Sequence, residues 1–332
     1  MGTKLKRRDF IALALGLVPA LSVRTTFAQQ TSVPLIGFMS SRSLADSAHL
    51  LAALREGLKE EGFTEGQNLT VEYRWADGKY GQLSALAADL VERGVTVLLA
   101  LGGDPSAIAA RAATNRIPIV AGLGGDPVRA GLTESFNRPT GNVTGFTLQT
   151  AQMESKRLGI LRDLLPGARL FGVLVNPSFP PSVQQFEQLQ ETAAAIRQEL
   201  LFERASTDNE LEQALRRMVD RKTDAVLVGA DPFFDTKRNA LIAFADKNRL
   251  PAMYQFREFA VAGGLMSYGP NITDSYRQAG RYAGRLLKGA KPSELPILQP
   301  TKFEFVINLR AAKALGLAIP SGVISFADEV IE

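Results

Sequence analysis

The chain has 332 residues, with 38 Lys and Arg, 34 Asp and Glu, one His and no Cys. Disulfides, thiolate metal sites and cysteine nucleophiles are therefore excluded, and a Ser-His-Asp triad could draw only on His49. Five of the 38 basic residues and one of the 34 acidic residues fall within 1–28, which leaves 33 of each. The remainder is close to neutral, so no basic footprint for nucleic acid is expected.

Residues 1–28 read as an export signal rather than as part of the fold. Lys4, Lys6, Arg7 and Arg8 precede an apolar stretch, Phe10 to Leu21, and Thr26-Phe27-Ala28 supplies a small-x-small cleavage site. The stretch is about a dozen residues, short of the ~20 that a membrane helix needs. Lys6-Arg7-Arg8-Asp9-Phe10-Ile11 resembles the twin-arginine export motif, although a general secretory signal can also carry two arginines. No Cys follows the signal to carry a lipid, so cleavage near Ala28 and a soluble periplasmic protein are expected.

From residue 33 onward, strands and helices alternate, which predicts parallel sheets. Pro34 to Met39 is the first strand and residues 47–61 a helix stopped by Gly62. Leu69 to Trp75 alternates like an edge strand. A helix over 82–93, a strand over 95–101, a short Ala-rich helix over 106–114 and a strand over 117–121 follow. Asn142 to Phe146 leads out of this unit. The second half repeats the plan. Helices are expected at about 152–165, 182–199, 208–220, 236–248, 273–288 and 310–315. Strands are expected at 170–175, 224–229, 250–254, 264–268 and 303–307, with a strand or turn near Leu201. Two similar units make a bilobed α/β chain with a cleft between the lobes.

Three apolar runs stop at one signal: Gly102-Gly103-Asp104-Pro105, Gly124-Gly125-Asp126-Pro127 and Gly229-Ala230-Asp231-Pro232. Asn176-Pro177 ends a fourth. Glycine permits the sharp turn, Asp or Asn can cap the next helix, and Pro suits its first turn. Such loops place carboxylates and free N–H groups at the carboxyl edge of a sheet, where open α/β folds bind ligands. Capping alone explains any single copy; the repetition points to a shared cleft.

Several stretches resemble the tryptophan/tyrosine-type ABC substrate-binding proteins. They include Leu54-Arg55-Glu56-Gly57-Leu58, Glu72-Tyr73-Arg74-Trp75-Ala76, Gly124-Gly125-Asp126-Pro127, Asn137 to Gly145, Lys156-Arg157-Leu158, Val228 to Phe234, Gly263 to Gly269 and Lys302 to Asn308. The resemblance runs from about residue 33 to 332. It implies two Rossmann-like parallel-sheet lobes of the type I periplasmic-binding-protein kind, with several crossings between them. The lobes are placed at 33–148 plus 270–300 and at 149–269 plus 301–332. It also implies the solute-binding component of an importer: a single chain that closes on a small polar ligand, an amino acid or other small carboxylate, and docks transiently on an inner-membrane permease.

Within such a cleft, Ser40, Ser41, Gly103, Asp104 and Asp126 are expected on the first wall. Asn176, Asp231, Phe233, Tyr254 and Tyr268 are expected on the second. Helix N-termini after Pro105 and Pro127 can hold a carboxylate, and a strand-end Asp can hold an ammonium. Phe233 and Phe234 are adjacent, and one helix turn should not point both inward. Trp75, Tyr80 and Phe256 are further aromatic candidates. Arg257-Glu258 reads as a surface ion pair, and His49 as a surface or wall residue. No cofactor, metal or catalytic set is expected, because the Gly-rich loops lack the Walker lysine and the dinucleotide spacing, and no Gly-x-Ser-x-Gly elbow exists. Two rival readings stay open: a sensing subunit of a membrane receptor on the same fold, and a hydrolase built on Asp126, Asp231 and Glu258.

Overall fold

The computed structural model describes residues 33–332. The expected export signal and its cleavage site lie outside them. Among the described residues no helix is long and apolar enough to cross a membrane.

The first lobe is built on a five-stranded sheet of order β2-β1-β3-β4-β5, parallel throughout. Its strands are β1 (Leu35–Ser40), β2 (Thr70–Trp75), β3 (Val97–Ala100), β4 (Ile119–Leu123) and β5 (Val143–Thr147). Helices α1 (Leu44–Glu60), α2 (Leu83–Glu92) and α3 (Asp104–Ala113) connect them. β3, β4 and β5 are fully buried, as continuous apolar runs predict for strands covered on both faces. β2 lies at the edge and is only half-buried, in line with its alternating pattern. Asn142 to Phe146 does more than lead out of the unit, because Val143–Thr147 is the fifth strand.

The second lobe carries a seven-stranded sheet of order β12-β11-β10-β9-β8-β6-β7. These are β6 (Leu170–Val175), β7 (Glu199–Arg204), β8 (Ala225–Val228), β9 (Ala252–Tyr254), β10 (Met266–Pro270), β11 (Phe303–Asn308) and β12 (Glu329–Ile331). All neighbours are parallel except β10 and β11. The helices that follow β5 in the chain are α4 (Glu154–Leu164), α5 (Ser182–Ile196), α6 (Asp208–Asp220), α7 (Pro232–Thr236), α8 (Arg238–Lys247), α9 (Arg257–Val261), α10 (Ile272–Leu287), α11 (Leu309–Leu315) and α12 (Ser321–Ser325), all on the second lobe but α10. The two α/β lobes are those that the strand–helix alternation predicts. The helix expected over 236–248 is α8, and a further short helix that was not expected, α7, precedes it, started by Asp231 as N-cap. The short α9, α12 and β12 carry too few residues to show a period.

The chain passes between the lobes three times. After β5, a 3₁₀ turn at Thr150–Met153 leads into α4. After β10, helix α10 returns to the first lobe and packs along α1. That packing is very close: a Cβ on Gly57 would lie 1.9 Å from the Arg277 carbonyl oxygen, and one on Gly280 2.2 Å from that of Leu54. Glu60 with Arg277 and Arg281, and Glu61 with Arg285 and Lys288, pair along the exposed seam. Residues 297–298 then hydrogen-bond to Phe136, Gly145 and Thr147 before the chain returns as β11.

Candidate functional site

A cavity of about 390 Å³, mouth included, lies where the carboxyl ends of β3, β4 and β8 face each other. The first lobe contributes Arg42, the glycines 102, 103, 122 and 124, Phe146 and Leu148. The second contributes Phe179, Ala230, Asp231, Pro232, Asp235, Gln255 and Phe256. Thr150, Ile272 and Tyr276, from the first two crossings, complete it. The glycines bring backbone to the surface. Gly102 and Gly103 have φ of 130° and 90°, and a Cβ on Gly103 would lie 2.8 Å from Pro232 of the other lobe.

The three Gly-(Gly/Ala)-Asp-Pro ends turn out to do three different jobs. Asp231 is the N-cap of α7 and accepts from the Phe233 and Phe234 amides at 2.8 and 3.3 Å. It also accepts from Asn176 Nδ2 at 3.1 Å and, across the cleft, from the Tyr80 hydroxyl at 2.8 Å. Asp104 does not cap its own helix. It is buried and accepts from Gly124 and Gly125 N at 2.7 and 3.2 Å, which ties the end of β3 to that of β4. Asp126 holds its own turn through Val128 N at 2.7 Å and borders an outer groove rather than the cavity.

The other expected residues divide. Ser40 and Ser41 are buried at the end of β1; Ser40 Oγ accepts from Arg42 N, and Ser41 Oγ bonds Ser106 Oγ at 2.8 Å. Asn176 stands one step behind Asp231 and accepts from Ser178 N and Ser206 Oγ. Phe233 lies outside the cavity, against Gly78 of the first lobe, while Phe234 is buried beside it with ring centroids 5.4 Å apart. Both adjacent rings are thus buried, contrary to the one-turn argument, because the facing lobe covers the second side. Tyr254 stacks on Phe259 and borders a separate small cavity with Ile242 and Leu250. Tyr268 stacks on Phe303, away from the cleft. Arg257 pairs with Glu329 rather than Glu258, and Glu258 reaches His49 across the lobes at 3.3 Å.

Sequence reasoning missed Arg42, Asp235 and Tyr276. Arg42 Nη1 donates to Asp235 Oδ2 at 2.5 Å, joining the lobes through a buried ion pair, and Gln255 donates to the same carboxylate. Arg42 follows the Ser40-Ser41 strand end directly, and Asp235 lies one helical turn after Asp231, so both had a local signal. Tyr276 arrives on α10 and had none.

The electrostatics are one-sided. Burial pushes the Asp231 carboxyl up to about 7 against its hydrogen bonds, and Asp235 adds to the rise. Burial also takes Asp235 up to about 6, with Arg42 opposing it. Asp104 is raised for the same reason. Among the described residues no basic side chain pairs with Asp231; its partners are Asn176, Tyr80 and two amides. Arg42 Nε and the Tyr276 hydroxyl are buried donors with no hydrogen-bond partner there. The cavity therefore combines a carboxylate that wants a cation, two donors that want an acceptor, and apolar walls. Among the described residues no group of three His, Asp or Glu could hold a metal.

Known proteins agree with this architecture. A curated relative, the tyrosine-binding protein of Clostridioides difficile, is 28% identical over 262 residues, covering 79% of this chain and 75% of the relative. A conserved domain protein of Vibrio cholerae superposes with TM-score 0.82 at 25% identity, over 90% of this chain and 99% of that one. A Streptococcus pneumoniae ABC domain in complex with L-Trp gives 0.80 at 24% identity, over 90% and 100%. The family model for ABC transporter substrate binding protein matches residues 34–331. The chain belongs to the ABC transporter substrate-binding protein family.

Proposed function

We propose that this chain is the extracytoplasmic solute-binding component of an ABC importer and that its ligand is an α-amino acid with a large apolar or aromatic side chain. The observation that carries this reading is Asp231, a buried carboxylate lining the cavity without a cationic partner among the described residues. A ligand ammonium supplies that partner. Arg42 Nε and the Tyr276 hydroxyl are the donors for a ligand carboxylate. Phe146, Leu148, Phe179 and Phe256 offer apolar surface to the side chain. The relative named for tyrosine binding supports the same class. Lobes at 33–148 plus 270–300 and 149–269 plus 301–332 would open and close about the three crossings. The Tyr80–Asp231, Arg42–Asp235 and His49–Glu258 contacts between lobes would then form on closure.

Calorimetric titration of refolded, ligand-free protein with L-tyrosine and L-tryptophan should show one site per chain and return the ligand unchanged. Heat from none of the proteinogenic amino acids, or recovery of a chemically altered ligand, would overturn the reading.

Export to the periplasm on the twin-arginine route is part of the same proposal, motivated by Lys6-Arg7-Arg8-Asp9-Phe10-Ile11. Arg7→Lys with Arg8→Lys should leave the protein in the cytoplasmic fraction. Normal accumulation of that variant in the periplasm would assign export to the general secretory pathway instead.

A further inference from the structure

The motif Lys156-Arg157-Leu158 contains a side chain that the cleft does not use. Arg157 and Glu154, one turn apart on α4, are both fully buried and lie 2.8 Å apart. Neither reaches the cavity. Each is spent on backbone at the cavity's edge. Glu154 Oε1 accepts from Ala230 N at 2.8 Å, immediately before Asp231. Arg157 Nη2 donates to the Thr150 carbonyl at 3.0 Å, at the first crossing. Arg157 Nε donates to the Tyr268 carbonyl at 2.8 Å, two residues before β10 ends and the second crossing begins. Thr150 in turn donates its hydroxyl to the Gly124 carbonyl of the first lobe at 3.3 Å.

One ion pair thus ties together the strand end that carries Asp231 and the backbone of two crossings. Stability alone is a poor reason to keep it. Burying two charges costs more than a well-packed apolar pair in many proteins. Among the described residues Glu154 Oε2 has no hydrogen-bond partner, so the pair is not fully satisfied either.

We infer that Glu154 and Arg157 are positioning residues: they hold Asp231 in register with the crossings, and so set the closed geometry and the affinity without touching ligand. This rests on the ligand-binding reading of the cleft, and the test separates the two. The chain has no Cys, so Val128→Cys and Val183→Cys, both exposed and one on each lobe, take spin labels cleanly. Interlobe distances and calorimetric affinities for L-tyrosine and L-tryptophan are then compared between the parent and Glu154→Leu with Arg157→Met.

The apolar pair leaves the Ala230 amide and the Thr150 and Tyr268 carbonyls without these partners, so its melting temperature should fall, and affinity and distances are compared on the folded protein. It should bind roughly three- to thirtyfold more weakly and give a broader interlobe distance distribution. Parent-like affinity together with a parent-like distribution would overturn the inference. If the parent binds none of the proteinogenic amino acids, the functional reading fails, and the distributions of the free proteins alone decide: broadening supports the positioning role and identity refutes it. Should the apolar pair not fold, Arg157→Lys is measured in the same way. It keeps the charge but cannot reach both carbonyls, and parent-like behaviour would again refute the role.

Discussion

Asp231→Asn should weaken amino-acid binding roughly ten- to a hundredfold while leaving the fold intact. The estimate is the ~1.5–3 kcal/mol that a hydrogen bond to a charged group contributes, converted at a factor of ten per ~1.4 kcal/mol. Asn is a suitable probe because it keeps the other two functions of the residue. Its oxygen still accepts from the Phe233 and Phe234 amides, since Asn caps a helix about as well as Asp. Its amide nitrogen takes the place of the oxygen facing Tyr80, whose hydroxyl can rotate to accept. What disappears is the charge.

The pH dependence follows with a definite sign. With the lobes as they stand the Asp231 pKa is near 7, above its value of about 4 in an unfolded chain. Between those values the folded protein holds a proton that the unfolded chain has released. The stability of the ligand-free protein is therefore fully present below about pH 4 and declines as pH rises toward 7. Asn cannot ionise, so the stability of Asp231→Asn should lose this pH dependence in the absence of ligand. Binding runs the other way. A ligand ammonium needs the ionised carboxylate, so parental affinity should fall as pH drops from 8 to 5. The variant's affinity should stay nearly flat. Calorimetry across that range checks both statements, and parallel profiles for the two proteins would remove Asp231 from the ligand site.

The strand ends were legible in the sequence, but their division of labour was not. Gly102-Gly103-Asp104-Pro105 and Gly229-Ala230-Asp231-Pro232 read alike, and both do close buried strands at the cleft. Yet Asp104 sits inside α3, whose N-cap is Gly103, and turns to the neighbouring loop. Asp231 is itself the cap and faces the other lobe. The difference lies in backbone conformation and in what stands opposite, neither of which a four-residue motif encodes. Tyr254 and Tyr268 illustrate the same limit. A strand-end aromatic is equally compatible with either face of its sheet, and here both rings pack against neighbouring elements rather than into the cavity. Tyr276 and Ile272 enter the cavity only because α10 leaves the second lobe and returns to the first. That return is topology, and the local period of α10 carries no trace of it.

Arg42→Met should produce the largest loss of closure, because it leaves Asp235 buried without its counter-charge. Both side chains are at most 5% exposed and lie 2.5 Å apart. Breaking a buried pair from one side typically costs about 3–5 kcal/mol, two orders of magnitude or more in an equilibrium constant. The molecule has an escape that a core residue lacks. Arg42 belongs to the first lobe and Asp235 to the second, so opening returns the carboxylate to water. The loss should appear in ligand affinity and in the closed fraction, with a smaller effect on the melting temperature of the free protein. It should also depend on pH. Asp235 stands near 6 with Arg42 in place, raised by burial and by neighbouring Asp46. Without Arg42 it rises further, so at pH 5 the acid is neutral and the deficit shrinks, while at pH 8 the full cost appears. Adding Asp235→Asn removes the orphaned charge and still accepts from Gln255. The double variant should regain at least tenfold of the lost affinity at pH 8 and little at pH 5. It should stop short of the parent, because the Arg42 Nε donor proposed for the ligand carboxylate is still missing. A loss independent of pH and untouched by Asp235→Asn would instead assign the whole effect of Arg42 to direct ligand contact.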